Sequence, residues 1–205
     1  MGYLNFYDKL NSMKDREYVE TFLIFNLSLV IAGVKPAVTL TIKKENYKLY
    51  NNWGTLGNYF IKNLNLEYIE LRETEKSIVA LVYDKNLLKK HLKTKDSIEF
   101  LNNLGYPYYS SVSDYVLILK ERYNNYHCPH ELGLFLGIPI KDVIDFMQCT
   151  TKKCLMCKYW KVYNDSAEAE ITFNTYDKIK EYTMKNILNG KSLNNLITNI
   201  KQCSY

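Results

Sequence analysis

The feature that most constrains the fold is a run of mainly apolar residues from Phe22 to Val34. Its thirteen residues are too few to cross a bilayer, which takes roughly 20. Apolar residues occur on every face of this segment, as is typical of a helix that is buried in a core. Gly33 and Pro36 indicate where the helix ends. We therefore predict a buried helix over residues 15–33.

The rest of the chain predicts short strands between helices. Residues 37–42 alternate and are β-branched, and the apolar runs 66–71 and 77–83 predict an antiparallel hairpin. Further strands are predicted at 115–119 and 159–163, and helices at 52–64, 85–91, 97–104, 129–136, 139–147, 166–188 and 192–201. No repeated strand–helix–strand rhythm is present. The expected fold class is α+β, a single domain over residues 1–205 in which a small, mainly antiparallel sheet is covered by helices.

Composition limits the class of protein. The 205 residues are 47% apolar and 24% charged, which are ordinary values for a globular chain. The net charge of +5 comes from scattered lysines, which permits weak attraction of anions but argues against a nucleic-acid partner. The N-terminus lacks an apolar leader, and five cysteines are an odd number for a secreted disulfide framework. We expect a cytoplasmic protein without a membrane segment.

The segment Cys128-Pro129-His130-Glu131 is the first candidate site. Proline suits the first position of a helix, so Cys128 is predicted as the N-cap and His130 and Glu131 as part of the first turn. A helix N-terminus attracts anions, including a thiolate. Cys128 is therefore a candidate nucleophile with His130 or His127 as its base. Glu131 would orient the histidine or move a proton. The alternative is an ordinary helix start whose side chains only satisfy local partners.

A cluster of cysteines follows this segment. Cys154 and Cys157 form a CxxC pair, and Cys149 extends the pattern to C-x4-C-x2-C. Thiolates at this spacing can hold zinc or an iron–sulfur cluster, together with a ligand from Cys128 or His130. The second CxxC of a zinc ribbon is absent, so the signal is weak. A metal-stabilised interaction module is therefore an alternative function.

Residues 132–147 match a helix-turn-helix pattern, with Gly133 and Gly137 at the small-residue and turn positions. The second helix carries Asp142 and Asp145, and phosphates repel carboxylates. A DNA-binding regulator is a further alternative, but the packing of two short helices explains the same apolar spacing.

The segment Tyr159-Trp-Lys-Val-Tyr163 predicts a strand with Lys161 and Tyr163 on one face and Trp160 on the other. Aromatic side chains interleaved with a lysine can stack on flat cofactors or bases. Trp160, Lys161 and Tyr163 are therefore candidate ligand-binding residues. The alternative is a strand with one face in the core.

With these residues in view, the chain resembles an uncharacterised family of bacterial proteins, a domain of unknown function that is common in anaerobic low-GC Gram-positive bacteria. The matching segments are Ala32-Gly-Val-Lys-Pro36, Cys128-Pro-His-Glu-Leu-Gly-Leu-Phe-Leu-Gly-Ile-Pro139 with Asp142-Val143, and Tyr159-Trp-Lys-Val-Tyr163. Their order and spacing cover nearly the whole chain. The resemblance implies one intact domain and no particular reaction.

Together these patterns predict a ligand-binding protein or an enzyme whose site lies at the Cys128 segment. In this hypothesis His130 and Glu131 are the acid/base pair, and Cys128 is a thiolate. Lys161 and Tyr163 contact a small molecule that is anionic or flat.

Overall fold

A three-stranded antiparallel sheet lies at the centre of the fold. The computed structural model describes residues 2–108, 110–126, 128–149 and 151–202. The strands are β1 (Ala37–Lys43), β2 (Glu67–Glu73) and β3 (Ser77–Tyr83), in the spatial order β1–β3–β2. Strands β2 and β3 form the predicted hairpin. A separate two-stranded sheet pairs β4 (Met156–Cys157) with β5 (Lys161–Val162).

Helices make up most of the remaining described chain. They are α1 (Gly2–Ser12), α2 (Asp15–Ile31), α3 (Tyr47–Asn52), α4 (Asn58–Asn63), α5 (Lys85–Leu92), α6 (Lys95–Asn103), α7 (Val112–Asn125), α8 (Leu132–Phe135), α9 (Ile140–Met147), α10 (Ser166–Leu188) and α11 (Leu193–Gln202). Over the described ranges, no helix has both the length and the apolar content that crossing a membrane requires.

Strand β3 explains why helices cover both faces of the central sheet. Ile78, Ala80 and Val82 alternate with Leu81 and Tyr83, and all five side chains are at most 6% exposed. The first three belong to one hydrophobic cluster with α2, and the other two belong to a second cluster with α7. A strand that is apolar on both sides must lie between two layers. The predicted fold class, a small antiparallel sheet covered by helices, is confirmed.

Helix α2 is the main element of the first helical layer. Its side chains Val19, Leu23 and Leu27 are completely buried, and the helix contacts α3, α10 and α11. Burying one such side chain stabilises the fold by about 1.5 to 3 kcal/mol. The predicted buried helix is therefore confirmed. Its last residue is Ile31, two positions before Gly33.

The second layer contains α7, and here the predicted strand at 115–119 is wrong. These residues lie within α7, which packs on β2 with Tyr115 and Leu119 buried. Ser111 Oγ accepts a hydrogen bond from Asp114 N (3.1 Å), and the Asp114 carboxylate accepts one from Ser111 N (2.9 Å). This reciprocal capping box starts a helix just before the apolar run. A short apolar run alone does not distinguish a buried strand from a buried helix.

Several element boundaries also differ from the predictions. The helix predicted at 52–64 is interrupted by a π-helical turn at Trp53–Gly57, and the strand predicted at 159–163 is only two residues long. Helix α1 was not predicted. The helix predicted over 166–188 is confirmed at both ends, with the Asp165 side chain accepting a hydrogen bond from Glu168 N (2.9 Å) as its N-cap.

Two glycines with positive φ allow a test of one contact between the layers. Gly137 (φ 80°) lies between α8 and α9, where an added Cβ would be 2.6 Å from Pro36 Cδ. Gly33 (φ 72°) has nothing within 4 Å of such a Cβ. Gly33→Ala should lower the free energy of unfolding by about 1 kcal/mol, the cost of a left-handed backbone. Gly137→Ala should lower it by about 2 to 4 kcal/mol, because the overlap with Pro36 is added. Urea denaturation measures both losses, and equal losses would contradict a tight contact at Pro36.

Candidate functional site

The structure brings two of the predicted segments together around one cavity. This cavity, of about 240 Å³, lies between the Cys128 segment, α9 and the turn between β4 and β5. We call it the 128–161 cavity. Its lining is mainly apolar apart from a few polar groups, and consists of Cys128, Pro129, His130, Leu132, Gly133, Ile138, Asp142, Val143, Phe146, Tyr159, Trp160 and Lys161. Four predicted site residues are therefore neighbours, whereas Tyr163 and Glu131 lie outside the lining.

The chain enters this cavity through a tight turn, which corrects the predicted helix start. Residues 129–131 accept i→i+3 hydrogen bonds of 2.9 to 3.1 Å through their carbonyl groups. Helix α8 begins at Leu132, so that Glu131 and not Cys128 is its N-cap. A helix of four residues has only a small dipole. Attraction of an anion must therefore come from side chains. His127, the other histidine predicted as a base, lies outside the described residues.

Glu131 is held in the protein interior, away from the cavity. Its side chain is 1% exposed and forms an ion pair with Arg122 Nε. The same carboxylate oxygen accepts a hydrogen bond from Tyr106 Oη at 3.3 Å, and Arg122 Nη1 donates to the Leu104 carbonyl at 3.1 Å. Burial, followed by the charge on Glu131, raises the pKa of Tyr106, so the phenol stays protonated and can donate. These contacts give Glu131 a structural role, and its predicted acid/base role stays a prediction.

His130 and Lys161 flank one exposed aromatic ring at the cavity. The ring centroids of His130 and Phe146 are 5.1 Å apart in an edge-to-face arrangement. Lys161 Nζ lies 5.6 Å from the centroid of the same Phe146 ring. A cation at this distance is attracted by the face of the ring. The imidazole and the ammonium group therefore both pack against Phe146 at the cavity.

Cys128 places an exposed thiol at the cavity, next to a buried phenol. Its Sγ atom lies 3.8 Å from Tyr123 Oη, within hydrogen-bonding distance for sulfur. Burial of Tyr123, followed by its hydrogen bond to Cys128, raises the pKa of the Tyr123 phenol. A protonated phenol can donate a hydrogen bond to sulfur. Tyr123 is therefore a site residue that the sequence patterns did not indicate.

Asp142 joins the two halves of the cavity. It is 3% exposed, and its carboxylate accepts hydrogen bonds from Trp160 Nε1 (2.9 Å), Tyr163 N (3.0 Å), and Asn164 N and Nδ2 (3.1 and 2.8 Å). Four donors satisfy a buried carboxylate and fix the turn that carries Trp160 against α9. The role of Tyr163 in this arrangement is a backbone contact. Asp142 is a positioning residue that local sequence patterns do not indicate, because its donors lie 18 to 22 residues downstream.

The three clustered cysteines are separate from this arrangement. Cys149, Cys154 and Cys157 are all exposed, and the Cys154 thiol donates to the Met156 carbonyl at 3.2 Å. Only Cys157 of the CxxC pair lies in strand β4, and Cys154 lies in the chain before it. No group of three or more His, Cys, Asp or Glu side chains within the described ranges is arranged to hold a metal ion.

Helices α8 and α9, with Gly137 between them, cover the residues that match the helix-turn-helix pattern. Asp142 and Asp145 are 3% and 8% exposed. Asn164 Nδ2 donates hydrogen bonds to the carboxylates of Asp142 (2.8 Å) and Asp145 (2.9 Å). This face of α9 is therefore covered by the chain that follows β5. The apolar spacing of residues 132–147 is thus explained by packing within the protein.

The ion pair between Glu131 and Arg122 provides a stability test. Glu131→Gln should lower the free energy of unfolding by about 2 to 4 kcal/mol, because Arg122 loses its buried counter-charge. Glu121 is exposed on the same helix as Arg122, so Glu121→Gln is the matched control and should change stability by less than about 0.5 kcal/mol. Chemical denaturation measures both values. Equal stability of the two variants would contradict the structural role of Glu131.

The sequence was also compared with known proteins. No curated protein and no solved structure matches the chain. A family model described as "Protein of unknown function (DUF3793)" matches residues 23–197. This range contains every residue that lines the 128–161 cavity. Because the matched range is most of the 205 residues, the chain belongs to the DUF3793 family of proteins of unknown function.

Proposed function

We propose that this protein binds a small molecule with a flat or apolar body and an anionic group in the 128–161 cavity. The observation that carries the proposal is that Cys128, His130, Trp160 and Lys161 line one cavity. These residues come from two distant segments that were both identified as candidate sites from the sequence. Ligand sites are commonly apolar cavities with a few convergent polar groups.

The shape and chemistry of the cavity define the ligand class. Leu132, Ile138 and Val143 provide apolar walls, while Phe146 and Trp160 provide aromatic surfaces. A volume of about 240 Å³ lies below the roughly 300 to 1,000 Å³ of sites for drug-sized ligands. The ligand is therefore of the size of a single substituted ring.

The polar groups of the cavity suggest how such a ligand would be oriented. The Lys161 ammonium is a cation available to an anionic group, and the exposed His130 imidazole packs against the same Phe146 ring. If the protein is an enzyme, Cys128 would be its nucleophile and His130 would exchange the proton. Glu131 is paired with Arg122, so we assign it to holding the turn and not to proton transfer.

Indole N–H resonances test ligand binding with an internal control. The chain has two tryptophans. Trp160 lines the cavity, whereas Trp53 lies in the first-layer core, 2% exposed. In titrations with benzoate or phenylacetate, the Trp160 indole resonance should shift and the Trp53 resonance should stay fixed. Benzyl alcohol, which lacks the charge, should bind more weakly. Equal shifts of both resonances, or no shift with any aromatic acid tested, would argue against the proposed site.

Variants assign the roles of Lys161 and His130. Lys161→Met should raise the Kd for the aromatic acid about tenfold, the effect of losing one charge-assisted contact. His130→Ala should abolish binding while leaving the melting temperature nearly unchanged, because its side chain is exposed. Lys153→Met replaces an exposed lysine outside the lining and is the control. A large loss of stability in His130→Ala would show a structural role instead.

Alkylation of the cysteines gives an independent test of the same cavity. Cys128, Cys149, Cys154 and Cys157 are all exposed, so iodoacetamide should modify all four. A saturating aromatic acid should slow modification of Cys128 at least about fivefold, because it covers the thiol, and should leave the other three unchanged. Peptide mass spectrometry measures each rate. Uniform rates with and without the acid would contradict a ligand next to Cys128.

A further inference from the structure

Two lysines line a second cavity, which shares Tyr159 with the lining of the 128–161 cavity. Lys35, from the loop between α2 and β1, and Lys180, from α10, both line a cavity of about 170 Å³. Its other lining residues come from α2, β1, the chain after α8 and the turn before β5: Asn26, Leu29, Val38, Thr39, Leu40, Leu136 and Tyr159. Lys35 belongs to the Ala32–Pro36 segment, which the proposed function leaves without a role.

Neither ammonium group has a counter-ion in the described part of the chain. Lys35 and Lys180 take part in none of the salt bridges or hydrogen bonds found there. Their closest aromatic partners are Tyr176, whose ring centroid is 5.8 Å from Lys35 Nζ, and Phe25, whose ring centroid is 5.4 Å from Lys180 Nζ. The Asp177 carboxylate acts on Lys180 only from beyond salt-bridge distance.

Asp177 is already engaged by other donors. It forms an ion pair with Lys158 Nζ and accepts a hydrogen bond from Tyr159 Oη at 2.8 Å. The carboxylate is therefore not free to turn towards Lys180. Two positively charged side chains consequently line the cavity without a salt-bridge partner among the described residues.

Partial burial of Lys35 and Lys180 makes their charged forms less favourable. Desolvation, followed by the charge of Lys180, lowers the pKa of Lys35 to about 8, and desolvation also lowers the pKa of Lys180. Both lysines are half-buried, and removing part of a cation's surface from water without an opposite charge nearby is unfavourable. A bound anion would remove this cost, because it would stabilise the charged form of both lysines.

We propose that the cavity between Lys35 and Lys180 binds a phosphate group. The two ammonium groups supply two positive charges for a dianion. Lysine binds phosphate as a point charge, whereas the arginine fork suits planar carboxylates, and the described lining of this cavity contains no arginine. Asn26 and Thr39 add polar side chains to the lining. The site is distinct from the 128–161 cavity, so it can be tested without knowing the ligand of that cavity.

Inorganic phosphate is the first probe, with the full-length chain. Its titration should raise the melting temperature more than potassium chloride at equal ionic strength, by roughly 5 °C at a hundred times Kd. Lys35→Met and Lys180→Met should each remove most of this rise. Without phosphate, Lys35→Met should melt no lower than the unmodified protein, because it removes an uncompensated charge. Lys178→Met, an exposed site two residues from Lys180 on the same helix, should keep the whole rise.

Two results would overturn the proposal: a rise no larger than that with chloride, or a rise that survives in both variants. The two variants act on different elements, so Lys180→Met decides the question if Lys35→Met does not fold. Isothermal titration with glycerol 3-phosphate then identifies the source of the group. Tighter binding than inorganic phosphate indicates a phosphate ester, and weaker binding indicates the free ion. Lys161→Met should affect neither titration, which separates this site from the proposed function.

Discussion

The requirement to bury strand β3 on both faces determines the rest of the fold. A strand with alternating apolar sets on both sides needs two helical layers, and the chain supplies them as α2 with its neighbours and α7 with its neighbours. The layers must then be joined at the ends of the sheet. Pro36, just before β1, meets Gly137 beyond α8. Both cavities lie near this junction, where loops from the two layers approach each other.

Buried charges in this protein fall into two classes. Glu131 and Asp142 are nearly inaccessible, and each carboxylate accepts hydrogen bonds from donors on other elements. Such groups hold a structure in one arrangement. Lys35 and Lys180 lack this compensation. Glu131 and Asp142 therefore position the chain. Lys35 and Lys180 instead lack an opposite charge within salt-bridge distance among the described residues.

The elements that could be predicted are those whose ends are marked by residues close to them in sequence. The boundaries of β3 and α10 follow from apolar runs, turn residues and the Asp165 cap, all within a few positions in sequence. Residues 115–119 were misassigned because an apolar run fits either element, and the Ser111 cap that decides between them was overlooked. The site was predicted only as separate segments. Their convergence depends on contacts such as that between Asp142 and Trp160, for which no sequence spacing gives a rule.

The bonds from Asp142 to the chain around β5 have a consequence for how this family can vary in length. They set the position of one cavity wall relative to the other by side-chain contact. Lys152, on the path between α9 and β4, adds hydrogen bonds to Asp145 (2.7 Å) and Asn164 (3.1 Å). Residues 151–154 on that path are exposed. Doubling the length of a flexible loop costs only about 0.6 kcal/mol in closure entropy. An insertion at residues 151–154 should therefore cost little free energy of folding and leave the cavity in place.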